Sequence, residues 1–285
     1  NGPAAELLIV MARSPSITVH GREKKQITAL IVERDMPGYE VIYECSFMGL
    51  HGIRNGLLKF TDVKVPVENI ISGPGRGLKI ALTTLNTGRL TVPAAGSAAN
   101  KLCLKYCRQW AAERVQWGAP IGKHQAVTDM LARMAADTFA TEAVAWLCSG
   151  MADRKNHDIR LEAAMAKLFV TEIGWRIADD AVQIRGGRGY ESAGSLEGRG
   201  EKAMPLERIL RDMRINRIIE GTTEIMRLFI AREAMDTHVQ LLMPLMDPRV
   251  KGAAKRAAIK EMLVFYASWY PRQWLPISKA APCRF

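Results

Sequence analysis

Residues 125–153 read QAVTDMLARMAADTFATEAVAWLCSGMAD, and this segment has a strong helical pattern. Its apolar side chains recur mostly at three- and four-residue spacings: Val127, Met130, Leu131, Met134 and Phe139. This is the period of an amphipathic helix. Residues 78–110 and 159–184 predict two more long helices, and residues 222–238 predict a shorter fourth. Since adjacent helices of this kind bury their apolar stripes against one another, the sequence predicts an antiparallel four-helix bundle.

The first 65 residues have a composition typical of β-strands. The predicted strands are separated by turn-forming residues, and they are Glu6–Ala12, Gln26–Glu33, Glu40–Cys45 and Leu57–Val65. Predicted breaks include Arg13–Ser16 and Asp35–Gly38. Uncovered strands leave open edges, so we expect this region to pack on the bundle and on residues that precede Asn1.

The predicted fold class is therefore α+β, with three parts along the chain. Residues 1–72 are predicted to form part of an antiparallel β-domain, and residues 73–240 the helical bundle. Residues 241–285 are predicted to form a basic C-terminal extension with a helical and an aromatic part.

Composition narrows the possible functions of the chain. Its 285 residues are 48% apolar, yet no apolar run is long enough to predict a transmembrane helix. Five cysteines without Cys-x-x-Cys or zinc-like spacing are typical of a reducing compartment. Of the net charge of +11, residues 249–285 contribute eight Lys/Arg against one Glu. No nucleic-acid-binding motif accompanies this charge, so a nucleic-acid partner is not expected.

The segment IIEGTTE, residues 218–224, is a candidate catalytic motif. Glu220 follows two large apolar residues and precedes a glycine at a predicted helix start. A carboxylate desolvated in this way has a raised pKa and is a usable base near neutral pH. The alternative is an acid that stabilises a helix N-terminus, and spacing alone favours that alternative.

Residues 114–125, RVQWGAPIGKHQ, join the end of one predicted helix to the start of the next. An arginine at the end and a glutamine at the start suit a diphosphate and an amide partner. Arginines are also common at helix C-termini for electrostatic reasons, which is the simpler interpretation of this segment taken alone.

Residues 183–190, QIRGGRGY, contain three glycines that allow close approach of a backbone to a ligand. The segment lacks the strand–helix context of a dinucleotide fingerprint. A helix C-cap explains the first two glycines equally well.

The order of these motifs resembles that of the acyl-CoA dehydrogenase family, from about Asn1 to His238. Residues 60–69, FTDVKVPVEN, resemble the middle β-domain of that family, and residues 77–89 resemble the entry to its helical domain. Residues 85–89, LNTGR, and the basic tail are similar to the very-long-chain branch.

The resemblance implies the reaction and its base. It implies FAD-dependent α,β-dehydrogenation of fatty acyl-CoA to trans-2-enoyl-CoA, with long chains favoured. Glu220 would remove the α-proton, Asn86 and Arg89 would lie near the CoA, and Gly221 belongs to the implied substrate site. Arginine suits the phosphates of CoA.

The resemblance also implies the cofactor contacts and the partners. Arg114, Gln116, Gln125, Gln183 and Gly187 would contact the FAD of a neighbouring subunit, and Thr222 and Glu224 the chain's own FAD. A homodimer or homotetramer is therefore expected, with an electron-transferring flavoprotein as electron acceptor. The expected location is the bacterial cytoplasm or its inner membrane surface, or the mitochondrial matrix or inner membrane in a eukaryote.

Two alternatives remain open at this point. An acyl-CoA oxidase or a flavin monooxygenase of the same fold is one, although monooxygenases lack the glutamate at position 220. The other is a non-catalytic assembly or scaffold protein built on this fold.

Several features depart from the family pattern. The N-terminal helical domain and the first part of the β-domain are not in the sequence, so we expect this chain alone to bind FAD poorly. Trp117 and Glu224 replace residues that are more common in the family. The segment between Tyr190 and Arg211 is longer than usual, and a tolerated surface loop is expected there.

The C-terminal extension gives a separate prediction. Residues 250–276 combine basic, apolar and aromatic residues, a composition typical of a membrane-surface segment. The alternative is a helix and strap that pack on the missing N-terminal region or on a second subunit.

Overall fold

The computed structural model describes residues 1–154 and 158–274, except for the side chains of residues 86 and 87. Contacts between residues divide the chain into two compact units, Asn1–Thr223 and a second unit that starts at Glu224. The boundaries at residues 72 and 240 stay predictions.

The β region of the first unit consists of two antiparallel pairs. Strand β1 (Leu7–Val19) pairs with β2 (Arg22–Glu33), and β3 (Tyr39–Glu44) pairs with β4 (Gly56–Phe60). These pairs confirm the four strands predicted from the sequence, except that β4 ends at Phe60, so the predicted end at Val65 was wrong.

The break predicted at Arg13–Ser16 was wrong, because β1 runs through it. The register shifts between Ser14 and Ile17, which places Pro15 in an irregularity of the strand pair. A proline is tolerated at such a bulge because the residue there donates no ladder hydrogen bond.

The β region packs on the helices that follow it, as expected. The Leu50 amide donates to Asp212 Oδ1 at 2.6 Å, and Arg211 Nη1 donates to the Met48 carbonyl at 2.8 Å. A Cβ atom at Gly49 would lie 2.6 Å from the carbonyl carbon of Arg211, so only glycine permits this approach.

Three long helices form the centre of the first unit. They are α1 (Gly77–Glu113), α2 (Gln125–Ala152) and α3 (Arg160–Arg185), and each packs on the other two. Between α1 and α2 lies a short hairpin of β5 (Val115–Gln116) and β6 (Ala119–Pro120). The buried core includes Cys103, Cys107, Met134, Ile177, Ala181, Ile184 and Leu206. The three long helices predicted from the sequence are thus confirmed.

The long segment after α3 is folded into helices. It contains α4 (Gly187–Tyr190), α5 (Ala193–Gly198) and α6 (Leu206–Arg214). Leu196 and Met204 are buried, with relative exposures of 0% and 2%. The prediction of a surface loop was therefore wrong, because the segment contributes apolar side chains to the interior.

Two helices follow the 3-10 turn at Ile215–Arg217. They are α7 (Thr223–Met246) and α8 (Gly252–Trp274). Within the second unit, His238 Nδ1 lies 2.9 Å from the hydroxyl of Tyr266, and its ring contacts Phe265 and Trp269. The predicted fourth helix is confirmed as α7, while its place in a bundle with α1–α3 stays a prediction. None of the described helices is apolar and long enough to cross a membrane.

Candidate active site

Glu220 lies in a tight turn between a 3-10 helix (Ile215–Arg217) and the start of α7. Its φ is +54°, and φ of the following Gly221 is +103°. A left-handed conformation is uncommon for a residue with a side chain, and such strain often occurs at functional sites. The glycine after Glu220 in the sequence motif is explained by the same turn, since that backbone conformation is costly for other residues.

The carboxylate of Glu220 lies against α1, next to Gly88. A Cβ atom at position 88 would collide with the carboxylate, so glycine leaves the space that this side chain occupies. The Oε2 atom is buried and accepts no hydrogen bond from the part of the chain that the structure describes. Burial raises the pKa of Glu220, while the charges of Lys167 and Arg89 lower it by smaller amounts. A raised pKa suits a base that operates near neutral pH.

Lys167 of α3 contacts the turn that contains Glu220. Its side chain is fully buried, and its Nζ donates to the Gly221 carbonyl at 2.7 Å. One turn further along α3, Glu172 Oε1 accepts from Arg217 Nε at 2.7 Å and from the Thr223 hydroxyl at 2.5 Å. Two residues of one helix therefore fix the turn on both sides of Glu220.

Arg89 is buried on α1, and its positive charge acts on both Glu220 and Lys167. The structure thus brings Arg89, Glu220 and Gly221 together with Lys167. Thr222 is half-buried in the same turn. The side chain of Asn86 lies outside the described residues. The CoA contact expected of Arg89 stays a prediction.

A second candidate site is a cleft of about 430 Å³ between the ends of α1 and α3 and the helices that follow. We call it the arginine cleft. Its lining includes Trp110, Arg114, Gln116, Ile121, Ile184, Arg185, Gly186, Gly187, Arg188, Glu191 and Arg199. Three guanidinium groups surround the ring of Trp110, at 5.2 Å for Arg185, 5.7 Å for Arg188 and 5.9 Å for Arg114.

The charges of the arginine cleft are only partly compensated. Glu201 accepts from Arg188 at 2.5 Å and from Arg199 at 3.1 Å, and these hydrogen bonds hold the pKa of Glu201 at about 2. Arg185 is 5% exposed and donates from Nη2 to the Lys202 carbonyl at 3.1 Å. Its Nε and Nη1 have no hydrogen-bond partner among the described residues, and burial lowers the pKa of its guanidinium.

The structure brings together only some of the residues predicted to contact a cofactor. Arg114, Gln116 and Gly187 line the arginine cleft. Gln125 and Gln183 are exposed at the start of α2 and the end of α3 and do not line it. Glu224 belongs to the second unit. Arg185 is not among the residues predicted from the sequence, although its position in QIRGG was an available signal.

Lys167 was also missed by the sequence analysis. The sequence contained a sign of its role, because this lysine lies within an alanine-rich, largely apolar helix segment. The segment is AAMAKLFV, residues 163–170. Fully buried lysines are rare unless they are paired, so this placement indicates a specific role.

The chain is similar to known proteins of one family. Residues 75–235 match the family model of the acyl-CoA dehydrogenase C-terminal domain. The probable acyl-CoA dehydrogenase FadE10 of Mycobacterium tuberculosis is 49% identical over 272 residues, which are 95% of this chain and 41% of that protein. The mitochondrial very-long-chain-specific acyl-CoA dehydrogenase of Bos taurus is 36% identical over 81% of this chain and 34% of its own length.

The fold of the chain is also similar to that of a solved acyl-CoA dehydrogenase structure. The butyryl-CoA dehydrogenase of Megasphaera elsdenii superimposes with a TM-score of 0.72 and 31% identity, covering 82% of this chain and 57% of that one. The chain thus spans less than half the length of the curated relatives named above. Its matched domain places it in the acyl-CoA dehydrogenase family.

Proposed function

We propose that this chain is the C-terminal part of an FAD-dependent dehydrogenase that converts fatty acyl-CoA to trans-2-enoyl-CoA. The observation that carries this proposal is the environment of Glu220. Its carboxylate is desolvated, lies against Gly88 in a space that a side chain would fill, and is held in a strained turn. A carboxylate in such a setting is suited to remove a weakly acidic proton.

The arginine cleft fits the anionic part of a flavin dinucleotide. Arg114 and the partly unsatisfied Arg185 supply positive charge, and a Cβ atom at Gly186 or Gly187 would meet nothing within 4 Å. Guanidinium groups bind diphosphates with two parallel hydrogen bonds. We infer that Arg114, Gln116, Arg185 and Gly187 hold this part of the cofactor of a neighbouring subunit. When bound, FAD supplies the hydride acceptor of the reaction.

The chain's own residues perform the proton chemistry. Glu220 accepts the α-proton of the thioester, and the left-handed backbone fixes the direction in which its carboxylate points. Lys167 and Arg89 lie close enough to counter part of the rise in the pKa of Glu220 that burial causes. Arg89 also supplies a cation near the position where the CoA phosphates are expected.

The proposal extends to the substrate and the partners. The similarity to a very-long-chain-specific relative supports long acyl chains. An electron-transferring flavoprotein is proposed as the acceptor, and a homodimer or homotetramer follows if the arginine cleft serves a neighbour's cofactor.

The test uses the complete gene product that contains this chain, titrated anaerobically with saturated acyl-CoAs of increasing length. Bleaching of the flavin absorbance by long chains, lost in Glu220→Gln with flavin still bound, is the expected result. A bound flavin that no acyl-CoA bleaches would favour a same-fold monooxygenase. Fast reoxidation of the bleached flavin by O2 would favour an oxidase, and no bound flavin would favour a scaffold.

We also propose that α8 contacts a membrane surface. Ile259, Leu263, Tyr270 and Trp274 are exposed at spacings that place them on one face, with Lys255, Arg256 and Lys260 beside them. The helix continues through the aromatic segment as far as Trp274, while residues 275 and 276 lie outside the described residues.

The test for membrane contact is sedimentation with anionic liposomes. Trp274 is 85% exposed, whereas Trp269 contacts His238, so Trp274→Ser is expected to reduce co-sedimentation more than Trp269→Phe. Unchanged co-sedimentation of the double variant would contradict membrane contact and favour packing on another part of the assembly.

A further inference from the structure

A buried cation lies next to the turn that contains Glu220. The motif IIEGTTE at residues 218–224 does not account for the position of this cation. Lys167 is fully buried on α3, although a lysine rarely tolerates complete burial without a defined partner. Its Nζ donates at 2.7 Å to the carbonyl of Gly221, the residue directly after the base. We propose that Lys167 is a positioning residue for the base: it fixes the left-handed turn at Glu220 and places a positive charge beside the carboxylate. This inference rests on the proposed function of Glu220.

The hydrogen bond acts on the backbone conformation of the turn. Both Glu220 and Gly221 have positive φ, at +54° and +103°, so the turn needs contacts that hold it. Glu172 accepts hydrogen bonds from the flanking Arg217 and Thr223, and Lys167 contacts the Gly221 carbonyl between them. Lys167 supplies a hydrogen-bond donor at that point, which an apolar side chain of similar size, such as methionine, would not.

The charge acts on the carboxylate itself. The charged groups that act on Glu220 are Lys167 from α3 and Arg89 from α1, and both lower its pKa against the larger effect of burial. Lys167 in turn is influenced by Glu220, Glu172 and Arg89, with burial as the largest cause of its lowered pKa. If the Lys167 charge is lost, only Arg89 of these two cations counters the effect of burial on Glu220. The pKa of Glu220 therefore rises.

The experiment compares Lys167→Met with wild type in the complete gene product. The rate of anaerobic flavin bleaching by a saturating long-chain acyl-CoA is measured between pH 5 and 10. Two results are expected: the acid limb of the profile moves to higher pH by about one unit, and the plateau rate falls about tenfold with a smaller change in KM. A purely structural role predicts neither a shifted limb nor a separation of kcat from KM.

Thr171→Val is the matched control, because Thr171 is buried on the same helix and, among the described residues, its hydroxyl donates only to carbonyls of that helix. It is expected to leave the acid limb in place. Should Lys167→Met not fold, Lys167→Gln removes the same charge with a shorter polar side chain and predicts the same shift. Lys167→Arg, which keeps the charge, is expected to restore the position of the limb.

The outcomes separate this inference from the proposed function. If Glu220→Gln abolishes bleaching while the charge-removing Lys167 variants keep the wild-type acid limb and plateau, the positioning role is wrong and the base assignment stands. If Glu220→Gln bleaches at the wild-type rate, the proposed function itself is wrong, and the Lys167 inference falls with it.

Discussion

The turn around Glu220 and the arginine cleft differ in how completely the chain satisfies their polar groups. In the turn, contacts from α3 fix the backbone on both sides of Glu220, and Glu220 Oε2 has no hydrogen-bond partner among the described residues. In the arginine cleft, Arg185 keeps two nitrogens without partners among the described residues. The comparison fits the proposal that this chain preorganises Glu220 as a base, and that the arginine cleft completes its hydrogen bonds with a bound anion.

Unpaired buried polar groups at the two sites cost folding free energy. A buried polar group without a partner costs roughly 1–3 kcal/mol, and more when it is charged. Such a cost persists in a protein when it serves binding or catalysis. Substitutions that fill or neutralise these two sites should therefore affect function and stability in opposite directions.

Among substitutions of residues that surround the proposed base or line the arginine cleft, the largest effect is expected from Gly88→Ala, which would place a methyl group against the Glu220 carboxylate. Displacement of the base by about 1 Å is expected to lower the bleaching rate about 100-fold. The thermal midpoint should stay the same or rise, since alanine favours a helix interior by about 1 kcal/mol over glycine.

Gly150→Ala is its matched control, because a Cβ atom there meets nothing within 4 Å on α2. It should keep the wild-type rate. A Gly88→Ala enzyme that keeps full activity would show that the carboxylate has more room than this account allows.

A smaller effect is expected from Arg185→Leu in the arginine cleft. Loss of a charged anchor is expected to weaken flavin binding about tenfold, measured by flavin fluorescence after dialysis. The unfolding free energy of the flavin-free protein should stay constant or rise by about 1 kcal/mol, since a buried, partly unsatisfied guanidinium is removed.

Arg176→Leu serves as the control for Arg185→Leu, because Arg176 is exposed and pairs with Asp137 away from the cleft. Equal flavin affinity in both variants would contradict the assignment of the arginine cleft to the cofactor.

The smallest effect is expected from Glu201→Gln at the edge of the arginine cleft. The pKa of Glu201 is about 2, below its ordinary value of 4.5, because Arg188 and Arg199 donate to it. A depressed pKa contributes stability above the ordinary value and loses that contribution as pH falls toward the depressed one. Wild type should therefore melt slightly higher than Glu201→Gln at pH 6, and the difference should vanish between pH 4.5 and 2. A difference that is independent of pH would exclude the ion pairs as its cause.

Much of the helical part was predictable from the sequence, because its signals are local. The period of residues 125–153 predicts α2, and the glycines at 186 and 187 predict the end of α3. The turn at Glu220 was predictable as a helix start. Its left-handed backbone was not, since it depends on contacts with α3 that the motif does not contain.

The other predictions that differ from the structure also failed because tertiary contacts decided the outcome. Pro15 indicated a break between strands, yet the pairing with β2 continues past it through a bulge. The long segment after α3 looked polar enough for a surface loop, but the side chain of Leu196 is buried. Gln125 and Gln183 were selected by resemblance, and the cleft was instead completed by Arg185 and Trp110.

The central claim is that Glu220 is the base. The most direct measurement is the anaerobic stopped-flow rate of flavin bleaching by a long-chain acyl-CoA, compared between wild type, Glu220→Gln and the exposed control Glu68→Gln at equal flavin content. The account predicts a loss of at least about 1,000-fold for Glu220→Gln and no change for Glu68→Gln. A Glu220→Gln rate within tenfold of wild type would contradict it.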